Sequence, residues 1–217
     1  REKKNVALVP EGNRSFNGLT GDFVSATGKL AKRSGVTLVT YRLRGGYFIS
    51  PRWSKTLRSG RLHGEIANVY PPEKLKQLSE EQINEAIRKD LFVDAYSDQN
   101  RNRIPYKGRN LALGLESTLF LCPRCGAVSS LHSRGNEIFC SCGFHAEYDS
   151  FGYLQCSGGG TVTITELDDR QHRAVDALFE ETSDALLFED AVQAERIDLN
   201  HRVVSAERTI LRAWRNG

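Results

Sequence analysis

Asn5-Val6-Ala7-Leu8-Val9-Pro10-Glu11-Gly12-Asn13-Arg14-Ser15 is an apolar run cut off by a proline and followed by a polar, glycine-containing loop. An apolar run that ends where proline removes the amide donor predicts a buried strand over Asn5 to Val9. Working outward, Thr27 or Gly28 to Ser34 reads as a short helix closed by Gly35. Val36 to Leu43, rich in β-branched and aromatic residues, reads as the next strand. Strand, loop, helix, strand in this order predicts an α/β fold.

Arg61 to Val69 alternates as a further strand, ended by Pro71 and Pro72. Ser79 and Gln82 form a capping box ahead of Ile83, Ala86, Ile87, Leu91 and Phe92, predicting a helix from Glu80 to Tyr96 with those residues on its buried face. Tyr96 to Asn110 is polar and basic and reads as a linker, and Gly158 to Gly160 form a second break. Beyond it, Thr161 to Thr165 alternates as a strand. Asp168 to Glu181 reads as a helix with Ala174, Leu178 and Phe179 inward. Ala185 to Phe188, Arg196 to Leu199 and Thr209 to Trp214 read as short strands. The expected organisation is an α/β domain over 1–110, a small ribbon over 119–157 and an α+β tail over 158–217.

With 217 residues, 39% hydrophobic and 26% charged, the chain suffices for one large domain or two small ones, and wholesale disorder is excluded. No window approaches 18 consecutive apolar residues, so neither a spanning helix nor a signal peptide is expected. The chain opens at Arg1 without any Met, and Lys3 to Val9 reads like a strand in mid-domain, so a fragment is expected. Charge is distributed unevenly. Residues 1–64 hold 13 Lys or Arg against 3 Asp or Glu, whereas residues 158–217 hold 7 against 12. A first segment at +10 suits phosphate esters, nucleic acid or acidic lipid headgroups, if it is more than a solvated basic face.

Four of the five cysteines fall between Cys122 and Cys142, too few and too clustered for a disulfide framework, which points to a reducing, cytoplasmic compartment. Cys122-Pro-Arg-Cys125-Gly and Cys140-Ser-Cys142-Gly flank a stretch with a hairpin-like Gly135-Asn136 turn. Four thiolates can then meet at one tetrahedral, structural Zn(II), with the glycine after each pair letting the backbone turn tightly. The second pair is Cys-x-Cys, so His145 is an alternative to Cys140 as fourth ligand, and two structural or redox-active thiol pairs are the other reading. Cys156 is expected to be a small buried residue.

In Val9 to Ser15 the glycine amide can approach an anion, Arg14 can fork two oxygens, Ser15 adds a donor and Glu11 can hold the arginine or a hydroxyl. The spacing is neither that of a P-loop nor of a dinucleotide fingerprint, and a surface turn with an Arg-Glu pair is the plain alternative. VPEGNRS resembles the FPEGTRS block of the glycerolipid acyltransferases, the 1-acyl-glycerol-3-phosphate acyltransferase family. Thr27 to Ala31, Gly35 to Val39 and Ser79 to Ala86 resemble the family's following helix, strand and C-terminal helix, so that residues 3–95 are covered. The ribbon resembles an extension of some bacterial members.

The resemblance implies transfer of a fatty acyl group from acyl-CoA or acyl carrier protein to a lysophosphatidate-like acceptor, at the inner face of an anionic membrane. It places Glu11, Gly12, Arg14 and Ser15 on the acceptor phosphate, with Lys29 beside them. Asn13 stands where the family has threonine, and Val36 to Tyr41 lacks the proline that normally follows that strand. The family's base is the His of His-x-x-x-x-Asp, yet none of His63, His132, His145, His172 and His201 has an Asp five positions on. The motif is expected upstream of Arg1, so this chain is expected to bind without catalysing. His63 is expected to be structural. The rival reading is a nucleic-acid-binding or scaffold protein; no nucleic acid is expected, because the ribbon is nearly neutral and the positive charge sits with the loop.

Overall fold

The computed structural model describes residues 5–181, 186–200 and 202–214, without the side chains of 178, 179, 181, 186–188, 213 and 214. Helices and strands are mixed, as expected. The elements are α1 (Ala26–Ser34), β1 (Leu38–Arg44), α2 (Gly46–Ile49), β2 (His63–Tyr70), α3 (Pro72–Gln77), α4 (Glu80–Leu91), α5 (Ala95–Asn102), β3 (Leu131–Arg134), β4 (Glu137–Cys140), β5 (His145–Tyr148), β6 (Leu154–Cys156), β7 (Thr161–Val162), α6 (Ile164–Glu181), β8 (Leu186–Ile197) and β9 (Val203–Trp214). Every pairing between these strands is antiparallel: β1 with β2, a β3-β4-β5-β6-β7 meander, and β8 with β9. No described helix is long and apolar enough to cross a membrane.

The chain divides into two compact units, one up to Asp169 and one from Arg170 on. In the first unit, α1, α3 and α4 cover one face of β1 and β2 around Ala31, Tyr70, Leu75, Ile83 and Ile87. Gly28 makes the contact possible: a Cβ there would run into the Glu80 carbonyl, and its amide donates to Asn84 Oδ1 at 2.7 Å. Gly35 ends α1 in the left-handed region at φ 65°, as its position predicts. The α4 capping box is complete, with Gln82 N donating to Ser79 Oγ at 3.1 Å and Ser79 N to Gln82 Oε1 at 2.8 Å. Ser79→Ala should therefore cost about 1 kcal/mol in a denaturant melt.

At the far end of the strand pair, Arg44 bonds Asp98 at 2.7 and 2.6 Å and, with Arg42, Glu65. The hydrogen bond from Arg44, with desolvation opposing it, holds the Glu65 carboxyl below its ordinary value. That contribution is present above the unfolded carboxylate range and is lost as pH falls through the lowered value.

Several expectations are corrected. Asn5 to Val9 is not a strand: Val6 and Val9 are 83% and 74% exposed, and no described strand pairs with this run, which therefore has no ladder to join. The helix expected to reach Tyr96 stops at Leu91. Val93 accepts from Thr20 N at 3.0 Å and Asp94 bridges Leu19, after which Asp94 caps α5 by accepting from Ser97 N at 3.0 Å. Phe92, expected inward, is exposed. Tyr96 to Asn110 is no linker, since α5 occupies its start and Tyr96 and Tyr106 are core residues.

Thr161 to Thr165 is a strand only to Val162. Thr163 and Glu166 then form a second capping box, Thr163 N to Glu166 Oε2 at 2.7 Å and Glu166 N to Thr163 Oγ1 at 3.0 Å, which starts α6 at Ile164. Ala174 is exposed; the side chains of Leu178 and Phe179, expected beside it, lie outside the described ones. The three short strands expected after it are one long hairpin, β8 and β9, with Ala185 outside the described residues.

The second core of the first unit gathers Phe48, Trp53, Tyr96, Tyr106 and Leu115 together with Cys122, Leu131, Ile138, Tyr148, Leu154 and Ile164. The expected boundaries around residues 110–119 and 157–158 thus fall within one continuous core.

Candidate functional site

The cysteine segment is built from two knuckles. In the first, Cys122 N donates to Ala127 O at 3.0 Å and Gly126 N to Cys122 O at 2.9 Å, with Gly126 at φ 72°. In the second, Cys140 N donates to Phe144 O at 2.9 Å and Gly143 N to Cys140 O at 3.0 Å, with Gly143 at φ 87°. The β3-β4 hairpin turns at Gly135-Asn136 and delivers the second knuckle to the first, as its sequence predicts. The ligand atoms of Cys122, Cys125, Cys140 and Cys142 then all lie within 4.8 Å of one another, with Sγ pairs at 3.6 Å (Cys122 and Cys142) and 3.9 Å (Cys125 and Cys140).

Thiolates at about 2.3 Å from a tetrahedral ion stand about 3.8 Å apart, so the four sulfurs fit a closed four-coordinate metal site. The donors' electrostatics agree. The Cys142 amide and the Ser130 hydroxyl pull the Cys140 thiol down to about 6. Cys142 is pushed up to about 12: the Phe144 amide lowers it, but desolvation and the neighbouring thiols outweigh that. Four crowded thiols cannot all ionise without a cation to offset them. His145 is not in the cluster; it sits on β5 with Nε2 3.6 Å from Glu137 Oε1, in an open groove of about 450 Å³. Cys156 is also outside the four and packs, half-buried, against the core.

The Glu11 to Ser15 loop is held from within. Glu11 Oε2 accepts from Gly21 N at 2.8 Å, Gly12 N donates to Val9 O at 3.1 Å with φ 69°, and Ser15 Oγ accepts from Gly18 N at 2.9 Å. Asn17 fastens the loop's end to α6, donating to Asp168 Oδ2 at 2.8 Å and accepting from Thr165 Oγ1 at 2.7 Å. No protein family, characterised relative or solved structure matches the chain. The functional case therefore rests on these residues.

Arg14 is exposed, and Nη1 donates to the Ser50 hydroxyl and to Ser50 O at 3.4 Å; no described carboxylate lies within ion-pair distance of it. The Arg14-Glu11 pair that a plain surface turn would make is not formed. Lys29 stands on the exposed side of α1, and no described hydrogen bond joins it to the loop. His63 is on the exposed edge of β2 opposite Arg44. Ser50 and Arg52 went unread in the sequence, because their approach to the loop spans 36 residues and only the general basicity of the segment signalled them.

Proposed function

We propose that this chain holds the acceptor-phosphate site of a glycerolipid acyltransferase, and that its four cysteines hold one structural Zn(II). The observation that carries the reading is Arg14: its guanidinium is exposed and without an acid at the head of a loop whose Glu11 and Ser15 are turned onto the amides of Gly21 and Gly18. Such a group is available to fork a phosphate. The resemblance of Glu11 to Ser15 to the acyltransferase block supplies the substrate class.

In the reaction so implied, the acceptor hydroxyl attacks the thioester carbonyl of acyl-CoA or acyl carrier protein. The new C–O bond forms, the C–S bond breaks, and the hydroxyl proton leaves through a base while the thiol departs. The residues of this chain contribute orientation: they hold the acceptor by its phosphate while its hydroxyl reacts. The base of the family is not among its five histidines. A basic first segment, together with the exposed Val39, Tyr41 and Leu43 on β1, supports an anionic membrane surface at the cytoplasmic side as the place where acceptor is met. Four protein thiolates leave no open position, so zinc would act as a staple and not a reagent.

Binding is the direct test. A water-soluble short-chain lysophosphatidate should bind the chain, and its dephosphorylated analogue should not. Arg14→Ala should weaken that binding by on the order of 1.5 to 3 kcal/mol, with Arg14→Lys recovering only part because a point charge cannot reproduce the fork. Calorimetric titration in which Arg14→Ala binds as tightly as the parent, or nucleic acid binds more tightly than the lysophosphatidate at physiological salt, would sink the reading.

A further inference from the structure

The segment Ser50-Pro51-Arg52 lies directly against Arg14-Ser15-Phe16. Arg14 donates to the Ser50 hydroxyl and carbonyl, and Arg52 N donates to Ser15 O at 3.1 Å. Arg52 then turns its guanidinium onto the Phe16 ring, with Cζ 4.5 Å from the centroid. Pro51 between them is fully buried, which anchors the two flanking residues. Both arginines are exposed at the surface, one braced by a serine and the other by an aromatic face.

Neither has an acid partner among the described residues, whereas five other arginines do. Arg42, Arg44, Arg88, Arg134 and Arg212 each sit within 4.0 Å of a carboxylate, at Glu65, Asp98, Glu85, Glu137 and Glu189. Among the described residues Arg14 and Arg52 have none, and Glu11, the acid of the same loop, has one oxygen engaged by the Gly21 amide. Two like charges on touching segments repel unless a shared anion offsets them. A single guanidinium matches one negative charge. Two match the dianion of a phosphate monoester, which gains from the second cation more than the monoanion of a diester does.

We propose that Arg52 is a second phosphate ligand beside Arg14, and that the pair selects a phosphate monoester over a diester. The proposal rests on the reading of Glu11 to Ser15 as the phosphate-binding loop. It adds what that loop alone does not give, discrimination between an acceptor with a terminal phosphate and a finished phospholipid headgroup. Ser50 is the positioning residue that holds Arg14 in reach.

Calorimetric titration of the whole chain at about pH 8, where a phosphate monoester is a dianion, tests it with three probes: glycerol 3-phosphate, its methyl diester and inorganic phosphate. The parent should bind the monoester about tenfold more tightly than the diester. Arg52→Gln should weaken monoester binding several-fold more than diester binding, so that the preference falls several-fold while the thermal midpoint is little changed, and Arg52→Lys should restore part of it, since Lys keeps the charge. Inorganic phosphate binding as tightly as the monoester assigns the pair to the bare anion, and weaker binding assigns it to the glycerol ester; either is compatible with the clamp. An unchanged monoester preference in Arg52→Gln, with binding lost in Arg14→Gln, overturns the role of Arg52 and leaves the loop reading intact. Unchanged binding in Arg14→Gln overturns the loop reading itself.

Discussion

Chelating the metal proposed for the four cysteines in purified, reduced protein should cost it the cooperative fold of the whole first unit, and not of the cysteine segment alone. Cys122 and Cys140 are buried in the same cluster as Phe48, Trp53, Tyr96 and Leu115, so the knuckles are part of the main core. The strands that carry them are four residues long or shorter, and such strands with so few ladder bonds are marginal without a staple. Structural Zn(II) in comparable thiolate sites contributes an apparent binding free energy of about 10 to 16 kcal/mol, which is folding free energy when the unfolded chain offers no formed site. Metal analysis should find one Zn(II) per chain. Chelation or Cys140→Ser should abolish the cooperative melt followed by tryptophan fluorescence. Cys156→Ser should keep the metal, because Cys156 lies outside the four-sulfur cluster. Reduced protein purified without any metal, or a metal-free form that melts with the parent, refutes the idea.

What was legible in the sequence is what short stretches decide by themselves. Gly35 stops α1, Ser79 and Gln82 start α4, and Gly135-Asn136 turns the hairpin, because each signal and its consequence lie within a few residues. The cysteine site was legible for the same reason, two close pairs across one hairpin. What failed depended on distant partners. Asn5 to Val9 has the composition of a strand but no neighbour to pair with. The interruption at Phe92 to Asp94 is imposed by Leu19 and Thr20, more than 70 residues away. At Thr161 to Thr165 local strand and helix signals compete, and the Thr163 and Glu166 box, with Ile164 fully buried at the helix start, decides for helix. At the loop, Arg14 was readable but Ser50 and Arg52 were not, since nothing in the sequence brings residues 14–16 to 50–52.

Arg58→Ala should be the most damaging single change away from the cysteines, because this arginine ties the ribbon to the rest of the core. Arg58 is 4% exposed, and its guanidinium lies 4.9 Å from the ring centroids of both Trp53 and Tyr148. It donates to Leu111 O at 2.5 Å, Phe48 O at 3.3 Å and the Tyr148 hydroxyl at 3.3 Å, thereby joining three segments that are distant in sequence. No described carboxylate neutralises it, and its Nε finds no hydrogen-bond partner among the described residues, so the charge is carried by carbonyl dipoles and two aromatic faces. Truncation leaves a cavity and strips two buried carbonyls of a charged donor, effects that together amount to about 3 to 5 kcal/mol. Lysine cannot reach three acceptors with one ammonium while lying flat between two rings, so Arg58→Lys should recover only a minor part. Arg58→Met separates packing from charge: it fills much of the volume and removes the cost of burying a cation, and should fall between Ala and the parent. Denaturant unfolding of the metal-loaded protein reads all three. If Arg58→Ala unfolds at the parent's midpoint, the ribbon is held to the core by its apolar contacts and its other hydrogen bonds, such as Tyr96 Oη to Gly152 O and Leu111 N to Asn136 Oδ1, and the arginine is a passenger.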